Sequence, residues 1–410
     1  MRVLVVSQYF WPESFIINDI VTTLKKKGMT VEVLTGKPNY PQGKTFIGYH
    51  ACGFEKEFYK GVLINRIPLF PRGKGRICLA LNYLSFVVSG LLFAPFLLRN
   101  KKYDIIFIYS LSPILQAIPA LYLGWLKRCP VVLWLQDLWP ESLVATGYFK
   151  SRVIIGAIRY VVRFIYRNAD LILVQSRAFE ESVRNLASAT PVVYYPNSFD
   201  NVFVNPAIED LPVIEGLGEG FSVMFAGNIG SAQAVSVIVD AASLLKEYAE
   251  IHFFILGDGS ARQWMLEEAG KRELINLHLT GSYPFEMMPR LLEQASVLLV
   301  TLADKPIFAL TVPSKMQAYM AAGRPIIACL NGEGARMVVE AGAGMVTAAE
   351  DPWALADTIL CLYRLTPSER KKMGENGRRY SQNNFDHERL VDQLIGYLHS
   401  VSNGSQNISK

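Results

Sequence analysis

Residues 2–35 read RVLVVSQYFWPESFIINDIVTTLKKKGMTVEVLT, and this stretch predicts the fold of the whole chain. Arg2–Ser7 is a short apolar run rich in β-branched residues, and Val31–Thr35 is a second such run. The residues between them read as a loop followed by a helix that ends at Gly28. Strand, loop, helix and strand at this spacing form a βαβ unit, and the pattern repeats along the chain. We therefore predict an α/β protein built on parallel sheets.

The other strand candidates share the same apolar, β-branched composition. They are Val62–Arg66, Ile105–Tyr109, Val131–Leu135, Leu171–Val174, Val192–Tyr194, Phe221–Phe225, Ile251–Leu256, Leu277–Thr280, Ser296–Thr301, Pro325–Cys329 and Gly344–Val346. The chain has 410 residues, of which 51% are hydrophobic, so it can fill two cores. We expect a first domain over residues 1–198, a second over 199–383, and a final segment, 384–410, that carries a helix around Asp386–His399.

A loop and short helix in the second half read VPSKMQAYMAAGRP over residues 312–325. The pattern predicts a helix that begins at Ser314 and ends at Gly323. Free N–H groups, a serine hydroxyl and Lys315 at the start of a helix favour an anion. The alternative is an ordinary capped helix with an exposed lysine.

Glycine-rich turns follow two strands of the second half. Gly227 and Gly230 lie in the turn Ala226–Gln233, and Gly257 opens the next such turn. Turns of this kind between strand and helix let the backbone approach a phosphate closely. Arg262 follows on the next helix, and Tyr283 could either stack on a base or pack as core.

Three loops of the first half follow strands, where the ligand crevice of a parallel sheet lies. Two of them repeat the tetrapeptide Trp-Pro-Glu-Ser, at residues 11–14 and 139–142. Asp137 precedes the second copy and either lines a site or caps a helix, and Glu13 in the first copy is the second candidate for a general base. The third loop, residues 36–43, is an acceptor contact or a plain surface turn.

The Val-Pro-Ser-Lys and Ala-Ala-Gly-Arg-Pro segments, with the loop Gly-Asn-Ile-Gly-Ser-Ala-Gln, resemble the donor-site signature of family-4 glycosyltransferases. The resemblance is to the branch described as WbuB-like or WcaI-like. It implies a GT-B fold, in which two Rossmann-like domains face a central cleft and the C-terminal helix crosses back to the first domain. It also implies transfer of a sugar with retention of configuration, without a metal or other cofactor. The implied donor is N-acetyl-L-fucosamine linked to UDP, and the implied acceptor is an undecaprenyl-pyrophosphate-linked saccharide in O-antigen or exopolysaccharide synthesis.

The resemblance also assigns roles to residues. Ser314 and Lys315 would hold the donor diphosphate, Tyr283 lies where the base binds, and Ala309 and Gln317 occupy the places of a glutamate pair. Gln136 stands near the place of a histidine that touches the donor sugar. Asn228 and Gln233 replace an arginine and a lysine, so positive charge would come chiefly from Lys315, with Arg262. The acceptor proton would pass to the diphosphate, to Asp137 or to Glu13, and the sequence leaves this choice open.

Charge is divided unevenly along the chain. Residues 1–200 carry a net charge of +12 and the remainder −7. A basic first half suits a membrane surface or a pyrophosphate, whereas no basic, aromatic-interleaved module points to nucleic acid. The apolar segment Ile77–Leu98 reads as an interfacial helix, with a buried core helix and a membrane span as alternatives. The basic residues expected at the membrane or acceptor are Arg72, Lys74, Arg76, Arg159 and Arg163. Arg159, Arg163 and Arg167 recur every four residues on one helix face, which either lies on the membrane beside that segment or is a solvated stripe.

Cysteine and histidine usage limits the other chemistry. The five cysteines are scattered and the five histidines are isolated, and the chain contains no Asp-x-Asp, so we expect neither a disulfide frame nor a metal site. We expect a cytoplasmic protein peripheral to the inner face of the cytoplasmic membrane. Two other functions stay open: a GT-B sugar-nucleotide epimerase and a non-catalytic scaffold with the same fold.

Overall fold

The computed structural model describes residues 1–73, 75–145, 151–199 and 214–404. They divide into two compact units. The first unit is Met1–Pro196 together with the segment that begins at His387, and the second is Asn197–Asp386.

The first unit is organised around one sheet, which has eight strands among the residues described. They are β1 (Arg2–Val6), β2 (Thr30–Thr35), β3 (Glu55–Tyr59), β4 (Val62–Arg66), β5 (Ile105–Ser110), β6 (Val131–Leu135), β7 (Leu171–Val174) and β8 (Val192–Tyr194). Their order is β3-β4-β2-β1-β5-β6-β7-β8. All neighbours are parallel except the β3–β4 pair.

In the described part of the first unit, six helices connect these strands. They are α1 (Ile17–Lys26), α2 (Arg76–Leu97), α3 (Ala117–Lys127), α4 (Glu141–Ala145), α5 (Arg152–Arg167) and α6 (Phe179–Ala187). α3 lies against one face of the sheet, where Gly124 sits close to the side chains of Ile106 and Val131. α2 packs on α3, and a Cβ atom on Gly90 would lie 2.6 Å from Pro119.

The second unit has a six-stranded, fully parallel sheet among its described residues. Its strands are β9 (Phe221–Ala226), β10 (Ile251–Leu256), β11 (Leu277–Gly281), β12 (Val297–Thr301), β13 (Ile326–Cys329) and β14 (Gly344–Thr347), in the order β11-β10-β9-β12-β13-β14. Its helices are α7 (Ser236–Leu244), α8 (Arg262–Lys271), α9 (Met288–Gln294), α10 (Pro306–Leu310), α11 (Lys315–Ala322), α12 (Glu333–Ala341), α13 (Pro352–Arg364) and α14 (Pro367–Phe385). A separate apolar core covers each face of this sheet.

The last helix, α15 (His387–Ser402), belongs to the first unit. It packs beside α1 on the face of the sheet opposite α3, and its leucines join the core formed by the strands. Lys27, which follows α1, forms ion pairs with Glu388 and Asp392 at 3.0 and 2.8 Å. The buried His387 ring nitrogen lies 2.9 Å from the hydroxyl of Thr23.

The predicted fold class is confirmed, and the strand candidates appear within one residue of their predicted ends. Sequence analysis missed β3, because Glu55–Tyr59 is a charged, half-exposed edge strand without an apolar run. The segment predicted over 77–98 is a single helix, α2. By length and composition α2 could cross a membrane. However, 28% of its most apolar stretch is buried inside the protein.

Candidate active site

Two tight glycine turns meet at the carboxyl ends of β9 and β10. Gly227 and Gly257 have φ values of +135° and +146°, which side-chain-bearing residues rarely adopt. A Cβ atom on Gly257 would lie 1.9 Å from the carbonyl oxygen of Gly227. The Gly227 N–H donates to the carbonyl of Leu256 over 2.8 Å, so a backbone hydrogen bond joins the two turns at the carboxyl edge of the sheet. Both glycines were predicted to let the backbone approach a phosphate, and that contact stays a prediction.

Lys315 begins α11 and places its ammonium group against this edge. Its Nζ lies 3.6 Å from the centroid of the Phe225 ring, at the end of β9. A Cβ atom on Gly227 would lie 3.1 Å from the same Nζ. The nitrogen is buried and has no hydrogen-bond partner among the described residues. A buried ammonium group without an anion is rare, because desolvation of its charge is uncompensated.

Burial lowers the pKa of Lys315 to about 7. The face of the Phe225 ring attracts a cation, but it replaces only part of the lost hydration. A bound anion at this edge would therefore gain a partner that the protein itself leaves unpaired.

Tyr319 holds α11 in place one turn further along. Its hydroxyl accepts from the Ala226 N–H at 2.7 Å and donates to the Ala226 carbonyl at 3.2 Å. The side chain is almost fully buried. Because residues four apart share a helix face, Tyr319 fixes the face that presents Lys315. Sequence analysis missed Tyr319, although its spacing from Lys315 was a usable signal.

Replacing Tyr319 with phenylalanine should lower the free energy of unfolding by about 1–3 kcal/mol, since the buried Ala226 N–H would lose its partner. Urea unfolding of the purified protein measures this change. Tyr248→Phe is the matched control, because Tyr248 is partly exposed and should tolerate the change. Equal urea midpoints for Tyr319→Phe and the control would contradict the proposed anchoring.

The remaining predicted loop residues lie around the same edge. The Asn228 side-chain amide donates to Gln233 Oε1 at 3.1 Å, across the turn that contains Gly230. The Ala261 N–H donates to the carbonyl of Ile229 over 2.9 Å, which brings the start of α8 and Arg262 to this turn. The structure therefore brings the predicted glycines, both amides, Arg262 and Lys315 together.

Three other predicted donor residues differ in their surroundings. Ser314 is exposed and makes no capping hydrogen bond, so its predicted capping alternative is wrong. Gln317 is 2% exposed, and neither its Oε1 nor its Nε2 has a partner in the described part of the chain. Tyr283 is partly buried and packs against an apolar core of the second unit, and its stacking on a base stays a prediction. Contacts of Gln317 and Ser314 with a donor stay predictions.

The second half of the motif over residues 312–325 is structural. Gly323 ends α11 with a φ of +69°. The guanidinium of Arg378, on α14, donates to the carbonyls of Ala321 and Ala322 at 3.3 and 2.9 Å. Arg378 thus caps the free carbonyl groups of α11.

Glu13, in the first unit, ties two loops together. Its carboxylate accepts from the backbone N–H groups of Phe10, Asn39 and Tyr40 at 3.1, 2.8 and 2.7 Å. Burial raises the pKa of Glu13 to about 7, although these three donors act to lower it. Since both carboxylate oxygens already accept hydrogen bonds, Glu13 anchors the loops after β1 and β2. Its catalytic role stays a prediction.

Asp137 lies directly after β6, beside the loop that follows β5. Its Oδ2 accepts a hydrogen bond from the Ser112 hydroxyl at 2.8 Å, and Trp139 Nε1 donates to the same hydroxyl at 3.0 Å. Burial raises the pKa of Asp137 above its usual range. The carboxylate thus stands near the end of a strand, and its role in lining a site stays a prediction.

Buried amide side chains follow three strands of the first sheet. Gln136, the predicted sugar contact, has an Nε2 without a partner among the described residues. Gln8 and Gln175, after β1 and β7, each have an unpartnered Oε1 there. All three are at most 8% exposed. Sequence analysis missed Gln8 and Gln175, although a polar residue directly after a fully apolar strand was a usable signal.

The predicted basic residues of the first unit are spread over two places. Arg72 precedes α2, and its guanidinium lies 5.3 Å from the centroid of the Tyr40 ring. Arg76 begins α2, and Lys74 lies outside the described residues. Arg159, Arg163 and Arg167 are exposed along α5. Among the described residues no group of three or more His, Cys, Asp or Glu could hold a metal ion.

Comparison with known protein families assigns the chain. Residues 15–198 match the family model described as "Glycosyl transferase 4-like domain", and residues 220–364 match "Glycosyl transferases group 1". The chain is a family-4-type glycosyltransferase. The two matches fall in the two units, and the second covers the edge formed by Gly227, Gly257 and Lys315.

Two relatives carry names of the same kind. The glycosyltransferase is 28% identical to WbjE of Pseudomonas aeruginosa over 314 residues, which cover 74% of this chain and 75% of WbjE. WbjE is described as a probable glycosyltransferase. The chain is 25% identical to WcaI of Escherichia coli (strain K12), over 79% of this chain and 82% of WcaI. The name of WcaI assigns that protein to colanic acid biosynthesis.

Solved structures establish the fold of the glycosyltransferase as GT-B. Sucrose-phosphate synthase from Thermosynechococcus elongatus superposes with a TM-score of 0.75 at 16% identity, over 98% of this chain and all of that one. Anabaena HepE in complex with UDP superposes with a TM-score of 0.69 at 14% identity, over the same shares. At these identities the likeness concerns the fold alone.

Proposed function

We propose that this glycosyltransferase moves a sugar from a UDP-linked donor onto a lipid-linked saccharide, in the synthesis of O-antigen or exopolysaccharide. One observation carries the donor half of the proposal: the buried, unpaired ammonium group of Lys315 against the glycine turn at Gly227. A nucleoside diphosphate supplies the missing negative charge at this edge. The UDP complex of HepE supports UDP as the nucleotide.

Lys315 would act chiefly on the departing diphosphate. As the bond between sugar and phosphate breaks, negative charge grows on the phosphate oxygens, and a positioned cation stabilises that charge. Backbone N–H groups of the glycine turns add dipoles that need no reorganisation. Retention of configuration follows from the resemblance to family-4 enzymes and belongs to the proposal, as does independence from a metal ion.

Asp137 and the buried amides would serve the sugars. The raised pKa of Asp137 brings this carboxylate nearer to the range in which a general base works at neutral pH. Gln136 offers a free N–H donor, and Gln175 offers a free carbonyl acceptor at the next strand end. A sugar hydroxyl both donates and accepts hydrogen bonds, so it would satisfy such atoms.

The lipid-linked acceptor is supported by the chemistry of the first unit. The Arg72 guanidinium packs on Tyr40 and has no ion-pair partner among the described residues. It stands four residues before α2, whose apolar residues are largely exposed. A pyrophosphate beside Arg72 and a prenyl chain along the helix would match these properties. WcaI, named for colanic acid biosynthesis, supports a polysaccharide pathway.

A donor panel tests the proposal. Purified enzyme is incubated with UDP- and GDP-linked sugars, including UDP-N-acetyl-L-fucosamine, and with a short-chain prenyl-pyrophosphate saccharide. Mass spectrometry should show the gain of one sugar from a UDP donor and none from GDP donors. The same saccharide without its prenyl pyrophosphate is the matched acceptor control and should react poorly. Transfer from a GDP donor alone, or equal transfer to both acceptors, would contradict the corresponding half of the proposal.

A further inference from the structure

One face of the first unit differs from the opposite face in its surface chemistry. α1 and α15 cover one side of the sheet, and no large apolar side chain of theirs is exposed among the described residues. α3 covers the other side, with α2 packed on it and α5 touching it. On these three helices many large apolar side chains face solvent.

α2 is apolar around its whole circumference but is buried on one side only. Phe86, Ala94 and the polar Asn82 are fully buried, and Asn82 donates to the carbonyl of Phe70 at 2.6 Å. The opposite side exposes a continuous apolar stripe that runs the length of the helix. It consists of Ile77, Leu81, Leu84, Val88, Leu92 and Phe96, each at least 45% exposed. A helix that is apolar all round needs apolar cover on its free side.

α3 and α5 extend this stripe. Trp125 is 76% exposed and stacks with Tyr122 at a centroid distance of 6.0 Å. On α5, Tyr160 and Phe164 are exposed beside the arginines of the same helix. Tryptophan and tyrosine favour the boundary between lipid and water, because their rings are apolar and carry one polar group.

The charge of the three helices is of one sign. α2, α3 and α5 contain no aspartate or glutamate, whereas α5 alone contains four arginines. The opposite face differs, since α15 carries Glu388 and Asp392. Two copies of this chain meeting through the same patch would oppose like charges, so the charge disfavours a symmetric dimer. An anionic bilayer complements both the apolar stripe and the arginines.

We infer that α2, α3 and α5 form a single membrane-docking surface that lies in the headgroup region of an anionic bilayer, with Trp125 and Tyr122 as interfacial anchors. α2 lies in the plane of the interface and does not span the bilayer, because its buried side is part of the protein core. The inference deepens the proposed function, and rests on it for its purpose, since a lipid-linked acceptor is presented at that surface.

Vesicle co-sedimentation tests the surface without donor or acceptor. Wild-type protein should bind vesicles of phosphatidylglycerol and phosphatidylcholine, and bind pure phosphatidylcholine weakly. Each basic residue near an anionic surface strengthens binding about fivefold, so Arg159→Glu/Arg163→Glu should weaken binding by about 30-fold or more. The matched control is Arg364→Glu/Lys372→Glu, which makes the same change in net charge on exposed residues of the second unit. It should bind as the wild type does.

Separate variants test the exposed apolar side chains of the docking surface. Val88→Glu/Leu92→Glu should abolish binding to anionic vesicles, whereas Trp353→Glu, at an exposed tryptophan of α13, should not. Trp125 fluorescence should be quenched by lipids that carry a doxyl group near the headgroup, and Trp125→Phe should lose that part of the quenching.

Three results would overturn the inference. They are wild-type protein that stays in the supernatant with anionic vesicles, α2 and α5 variants that bind like their controls, and a wild-type dimer in analytical ultracentrifugation that these variants dissociate. Activity on the short-chain acceptor is measured separately in detergent. A failed vesicle assay with intact transfer would therefore refute the docking surface alone, and lost transfer with intact vesicle binding would refute the proposed function alone.

Discussion

Lys315→Ala is expected to lower kcat by about 10²-fold or more while the protein stays folded, by analogy with the loss of one charge-stabilising donor. The ammonium group has no anionic partner in the described structure and is buried against Phe225. Its removal therefore relieves an uncompensated desolvation cost and should not weaken the fold. Lys315→Met is the sharper variant, because it keeps an apolar stem against the ring and removes only the charge.

Steady-state transfer with the donor found by the panel measures this effect, and circular dichroism checks the fold. Lys305→Met is a control, since Lys305 is exposed and lies just before α10. If Lys315→Met turned over at the wild-type rate, Lys315 would have no part in stabilising the leaving group.

The pH dependence of nucleotide binding should follow from the same group. Because the folded-state pKa of Lys315 is about 7, against 10.5 for a free lysine, the unliganded fold binds fewer protons than the unfolded chain between these values. The contribution of Lys315 to the free energy of unfolding therefore increases as pH rises from about 7 to 10.5. A diphosphate reverses the preference, because it binds the protonated form.

The dissociation constant of UDP should therefore increase as pH rises above about 7, by at most about tenfold for each pH unit. Lys315→Met should remove this dependence. Titration calorimetry at several pH values between 7 and 9 measures it, in buffers of different ionisation enthalpy that report proton uptake. A wild-type dissociation constant that is constant over this range would show that Lys315 does not take up a proton when UDP binds.

Gly257→Ala should have the largest effect on stability. The added Cβ would lie 1.9 Å from the Gly227 carbonyl oxygen, and a φ of +146° is strained for alanine even in open space. Backbone strain and the clash together should cost about 3 kcal/mol or more, and UDP binding should be lost with the turn. Urea unfolding and UDP titration measure the two effects.

Gly270→Ala is the matched control for this change. Gly270 lies within α8, and a Cβ atom there would meet no atom within 4 Å. Alanine in a helix is favoured over glycine by about 0.5–1 kcal/mol, so this variant should be slightly more stable than the wild type. Similar urea midpoints for the two variants would show that the turn at Gly257 tolerates a side chain.

The sequence predicted most strands correctly because parallel strands buried on both faces read as continuous apolar runs. Glu55–Tyr59 does not follow this rule, because its side chains alternate between half-buried and exposed and several are charged. The rule that ligands bind beyond strand ends also pointed to Asp137 and Gly227, whereas Lys315 was predicted from its place at the start of a helix. These parts of the fold and site depend on residues that are close together in the sequence, so a local sequence pattern can predict them.

Contacts between residues that are far apart in the sequence could not be predicted from local patterns. The hydrogen bonds between Tyr319 and Ala226 join residues far apart in the chain. Glu13 was predicted as a general base, but Asn39 and Tyr40 donate to it from another loop, and nothing in the tetrapeptide indicates those donors. The resemblance predicted the transferase family, yet the buried amides of Gln8 and Gln175 follow only from three-dimensional burial.

The position of α15 determines the order in which the chain can fold during synthesis. Leu390, Leu394 and Leu398 complete the core beside α1, but a ribosome makes them after the whole of Asn197–Asp386. The second unit is thus complete in the nascent chain while the first still has an open apolar face. A chain truncated just before His387 should therefore have a first unit that is sensitive to protease and a second unit that is folded.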